Sequence, residues 1–141
     1  MAITLAQANT IIAAALKKGH ELKLKPLSIA VLDPGGHLVA FQREDGASNL
    51  RPQIAAGKAS GALALGVSSR KIGEMAAERP TFIASVSQLA TGGLIPAAGG
   101  VLITDKAGVL IGAVGVTGDT SDNDEACALS GVEAAGLSVK G

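Results

Sequence analysis

There is no tryptophan and no tyrosine in this 141-residue chain, and Phe41 and Phe82 are its only aromatic rings. Without stacking platforms it is a poor candidate for binding single-stranded nucleic acid. Net charge is also missing, because twelve basic side chains cancel twelve acidic ones. No basic footprint for a phosphate backbone results, so nucleic acid is not an expected partner. One cysteine, Cys127, excludes an intrachain disulfide and a thiolate zinc site. Set among Ala126, Ala128 and Leu129, it reads as a small buried apolar residue. The opening MAITLAQANT carries no basic stretch ahead of an apolar core, unlike a secretory leader. The longest apolar tract, 99–118, is broken by Asp105 and Lys106 and reads as two strands, not a membrane span. A cytoplasmic location and no membrane partner are the expectations.

What the chain does have is 48% apolar residues and nineteen glycines. At this length the expectation is one domain, 1–141, built from thin elements that approach closely. Thr4 with Gln7 forms a capping-box signature that opens a helix to about residue 22, with Leu5, Ala8, Ile12, Ala15 and Leu16 as its apolar stripe. A second helix spans 51–66, with Pro52 early and Gly66 as its stop. Its Gly57, Ser60, Gly61 and Ala64 make a face of minimal bulk for another backbone to pack on. Shorter helices follow from Ser68 or Ser69 to 76 and from Pro80 to about 89. A final helix starts within 120–124 and runs to about 137.

Between the helices lie two similar hairpins. Asp33-Pro34-Gly35-Gly36 and Asp105-Lys106-Ala107-Gly108 each separate two apolar runs, with the Asp and Gly spacing of a type I turn. The simplest architecture is an antiparallel sheet covered by helices, an α+β domain. The residue after each turn differs, His37 in the first and Val109 in the second, so the turn itself does not demand the imidazole. Beyond it, the same strand ends in Arg43, Glu44 and Asp45. These four residues make a candidate site if the fold brings them together. His20 closes the first helix, where the helix dipole already favours a cation. Gly112, Gly115 and Gly118 do not match the dinucleotide fingerprint, and Asp119 and Asp122 would repel phosphate. Thr117, Asp119, Thr120 and Ser121 form a polar rim able to hold a carboxylate or a water, while Asp122 and Asp124 read as helix-capping residues.

Three stretches, 27–47, 54–66 and 112–128, together resemble the GlcG/HbpS family. The family pattern Asp-x-x-Gly-His-Leu falls on Asp33, Gly36, His37 and Leu38. Arg-x-Asp-Gly falls on Arg43, Asp45 and Gly46. The pattern Gly-Val-Ser-Gly appears as Gly115, Val116, Thr117 and Gly118, which keeps a hydroxyl. The resemblance implies a profilin-like fold, with a five-stranded antiparallel sheet flanked by helices, and assembly into homo-oligomers. The family includes haem-binding proteins, the C-terminal domain of PduO-type corrinoid adenosyltransferases, and proteins of small-molecule catabolic operons.

Two functional expectations follow. The first is haem or tetrapyrrole binding between aliphatic walls. His37, or in second place His20, stands near the iron, Arg43, Arg51 or Lys58 near the propionates, and Thr117 on the polar rim. The second is a cofactor-free lyase or isomerase acting on a small carboxylate or aromatic acid. There His37 is the general acid/base, Arg43 holds the carboxylate, and Asp45 or Glu44 orients the imidazole.

Overall fold

In the computed structural model, which describes residues 1–140, the reciprocal cap is formed as its sequence requires. Thr4 Oγ1 accepts the Gln7 N–H at 3.1 Å and Gln7 Oε1 accepts the Thr4 N–H at 2.9 Å, which opens α1 (Leu5–Glu21). The stripe it buries is Ala8, Ile11, Ile12, Ala15 and Gly19, which leaves Leu5 in solvent. The chain continues through β1 (Ser28–Leu32), β2 (Leu38–Arg43), α2 (Arg51–Leu65), α3 (Ser69–Glu78) and α4 (Pro80–Ser87). It then forms β3 (Gly100–Thr104), β4 (Leu110–Thr117), α5 (Ser121–Ala134) and β5 (Ser138–Lys140).

The fold is α+β, with one antiparallel sheet in the order β2-β1-β4-β3-β5 and helices on both faces, consistent with a profilin-like architecture. Side chains alternate between faces along each strand. Ile29, Val31, Val114 and Val116 join α1 and α5 in the larger core, whereas Leu32, Leu102 and Ala113 meet Ala59 and Ala62 of α2. Burying each large aliphatic side chain in such a core contributes about 1.5–3 kcal/mol. On the α2 side the spacing is set by glycine. A Cβ on Gly115 would lie 2.0 Å from the Ala55 carbonyl oxygen, so the helix backbone rests directly on β4.

The two hairpins repeat each other closely. Gly36 N–H donates to the Asp33 carbonyl at 2.9 Å, and Gly108 N–H donates to that of Asp105 at 3.0 Å. In each, the Asp Oδ1 accepts two further backbone N–H groups, from Gly35 and His37 or from Ala107 and Val109. Gly36 and Gly108 both have φ of 83°, which glycine tolerates without strain.

Several boundaries differ from the sequence expectation. Ser68 caps α3, which extends to Glu78, while α4 stops at Ser87. The segment between the paired glycines 92–93 and 99–100 is a loop up to the start of β3. That loop covers the thin face of α2. A Cβ on Gly57 would lie 2.9 Å from the Ile95 side chain, and one on Gly61 would lie 3.3 Å from that of Leu94. β5 has no pattern of its own, because all three of its residues are exposed.

Candidate functional site

His37 stands alone among the candidates at the turn end of the first hairpin. Its Nδ1 lies 3.1 Å from Asp33 Oδ1 and 3.2 Å from Oδ2. An ionised carboxylate only accepts, so Nδ1 carries the hydrogen and Nε2 is left with a free lone pair. The N–H groups of His37 and Gly35, with the imidazole itself, hold the Asp33 carboxyl below its ordinary value. The ring borders a recess of about 430 Å³, formed by the turn, Ser60, Leu63 and Ala64 of α2, and Thr91. A second recess, of about 390 Å³, shares Gly36, Ser60 and Thr91 with the first and extends past Leu32, Leu38, Ala56 and Gly57. Its walls are mainly apolar.

The charged cluster is elsewhere. Between His37 and Arg43 runs the whole of β2, a rise of roughly 20 Å. Within one chain, therefore, His37 does not meet Arg43, Glu44 or Asp45. The histidine they do meet is His20. Its Nε2 lies 2.7 Å from Glu44 Oε2, and Glu44 Oε1 accepts the Leu27 N–H at 2.8 Å. With Leu24 and Pro26, these four side chains line an open recess of about 460 Å³.

Arg51, Lys58 and Thr117 also belong to this end of the sheet. Ser28 is the register partner of both Arg43 and Thr117. Arg51 donates from Nη1 to Thr117 Oγ1 at 2.8 Å. Lys58 is only 3% exposed; its Nζ donates to the Val116 carbonyl at 3.0 Å and to Asp124 Oδ2 at 3.2 Å. Burial pushes the Lys58 ammonium below its ordinary value and the Asp124 carboxyl above its own. Lys58 is therefore committed inside the protein and is not available to a propionate. Asp124 is not simply a capping residue either: its Oδ1 accepts the Asp119 N–H at 2.9 Å, tying α5 to the end of β4.

The family model described as "Haem degrading protein HbpS-like" matches residues 3–133. The chain belongs to that family. Among solved structures, Klebsiella pneumoniae ORFY is 30% identical, covers 95% of this chain and 90% of its own, and superposes with a TM-score of 0.83. A double mutant of Streptomyces reticuli HbpS is 28% identical over 94% of this chain and 86% of its own, with a TM-score of 0.80. A PduOC:heme complex, 20% identical with full coverage of both chains and a TM-score of 0.88, shares the fold. No curated protein matches in sequence.

Within this HbpS-like fold, sequence reasoning missed several pairings. Asp33 reads in sequence as a turn residue and as part of the family pattern, but not as the partner of His37, although an Asp four residues before a histidine across a tight turn is itself a pairing signal. Ser60 and Thr91 carry no motif, and only the packing of α2 beside the hairpin brings them to His37. The Lys58–Asp124 pair spans 66 residues, and no local pattern announces it.

Proposed function

We propose that this HbpS-like protein binds haem or a closely related tetrapyrrole in the apolar recess beside the first hairpin, with His37 as the residue that would hold the iron. One observation carries the reading. The Asp33 carboxylate fixes the His37 tautomer so that Nε2 is free at the recess that adjoins the mainly apolar cleft. Metal-bound histidines characteristically donate their other nitrogen to a carboxylate in this way. Leu32, Leu38, Ala56 and Gly57 would flank the macrocycle, and the Ser60 and Thr91 hydroxyls would meet its polar edge. Bound haem would supply a redox-active iron centre. The protein's part is to present the imidazole and orient it.

Titration of purified protein with hemin, followed through the Soret band, tests this. Saturable binding that His37→Ala weakens at least tenfold is expected. No Soret shift, or one that His37→Ala leaves unchanged, overturns it. The enzyme reading built on His37 has less support, since its proposed arginine and carboxylate partners gather around His20. Self-association is part of the same proposal. Leu38, on the outer strand of the sheet and lining the recess, is 61% exposed, and a second copy would cover it. Sedimentation of the protein at micromolar concentration should show a dimer or larger species, and a monomer would count against it.

A further inference from the structure

We infer that the recess where α1 ends and β2 closes is a separate binding site for a small organic acid carrying a hydrogen-bond donor beside its carboxylate. Glu44 is held at three points. Oε1 accepts the Leu27 N–H, the Glu44 N–H donates to the Leu27 carbonyl at 2.9 Å, and Oε2 faces His20 Nε2. The carboxylate makes Nε2 the protonated nitrogen of His20, so Nδ1 of the neutral ring is an acceptor. His20 is 72% exposed, and that acceptor is accessible.

Arg43 supplies the complementary group. Among the described residues it has no carboxylate within ion-pair distance, although Glu44 and Asp45 follow it in sequence. Its guanidinium can therefore take a ligand carboxylate through two parallel N–H bonds. Leu24 and Pro26 provide an apolar wall for a short carbon chain. The lining itself sets Arg43 against Glu44 and Asp45, so recognition of an acid rests on the unpaired guanidinium and not on a surplus of positive charge. Lys23, with φ of 56°, is the left-handed residue that closes α1; its N–H donates to the His20 carbonyl and that of Leu24 to the Gly19 carbonyl, which fixes the helix end carrying His20. A carboxylate on Arg43 and a hydroxyl donating to His20 Nδ1 would use both groups at once.

Calorimetric titration with lactate, and with propionate as its analogue without the hydroxyl, tests the proposal. Lactate should bind about tenfold more tightly than propionate, the value of one neutral hydrogen bond. Arg43→Gln should weaken both acids at least tenfold. His20→Gln should erase the preference for lactate while leaving propionate affinity in place. Equal affinity of the two acids for the unmodified protein overturns the inference, as does an Arg43→Gln variant that binds lactate normally. So does no heat at ten millimolar acid. Both side chains are exposed, and circular dichroism verifies that each variant is folded. The titration contains no hemin, so this site and the haem reading succeed or fail separately.

Discussion

At one end of β2, His37 leans on an aspartate four residues earlier in its own turn; at the other, His20 leans on a glutamate brought from 24 residues away. The first pair is made by local chain geometry and borders the recess beside Ser60, Leu63 and Ala64, which adjoins the cleft walled by Leu32, Leu38 and Ala56. The second is made by the docking of α1 against the sheet and opens to solvent beside Arg43 and Asp45. Each imidazole is exposed and each has one nitrogen engaged, yet opposite nitrogens remain free: Nε2 on His37 and Nδ1 on His20. An apolar cleft with a free Nε2 suits a metal-bearing macrocycle. A polar recess with a free Nδ1 beside an unpaired guanidinium suits a small acid. The same kind of dyad is thus turned to different uses by its walls.

This contrast assumes that the His20 end is rigid, which the buried Lys58–Asp124 pair beneath it provides. Asp124→Ala strands a buried ammonium and should cost about 3–5 kcal/mol in urea unfolding. Combining Lys58→Met with Asp124→Leu should recover most of that loss. A cost under about 1 kcal/mol for Asp124→Ala would show that this end has no such anchor. The chemical half of the contrast is sharper in hemin affinity. Asp33→Asn keeps the turn acceptor but removes the charge behind the imidazole, and should weaken hemin binding about 10–100-fold, while His20→Ala should change it less than twofold. Reversal of that order would exchange the roles of the two ends.

Acid provides a finer test. The Asp33 carboxyl is held below its ordinary value in the folded protein, so the stability it contributes is fully present only well above the ordinary carboxylate range and is lost as pH falls through the depressed value. The His37 ring resonances should follow the same acid transition. Neither dyad holds the fold: His20→Ala should shift the unfolding free energy by less than about 1 kcal/mol, as expected for an exposed pair. The smallest effect concerns Cys127, whose thiol burial raises to about 11. A thiol reagent at pH 8 should leave it unmodified until denaturant is added.

Helix caps, turns and strand order of the hairpins were legible in advance because each depends on residues within about five positions of one another. Thr4 with Gln7, Ser68 before α3, and the Asp-x-x-Gly turns each satisfy backbone donors locally. His37 was legible as a candidate for the same reason, and so was its absence from the second hairpin. Its partners were not. Arg43 looked close because it lies on the same strand, but a strand separates its ends, and the intervening rise places Arg43 with His20 instead.

Composition and spacing alone therefore settled the class of fold, the two matching turns and which residues carry polar chemistry in an otherwise apolar chain. Which of those residues share a site was decided by packing. α2 lies flat on Gly115, carrying Ser60 toward His37 and burying Lys58 against Asp124, while α1 brings His20 to Glu44. Local hydrogen bonding acts over a few residues and can be read in order along the chain. Burial acts between elements distant in sequence, and its pairings exist only once the sheet has closed between its helices.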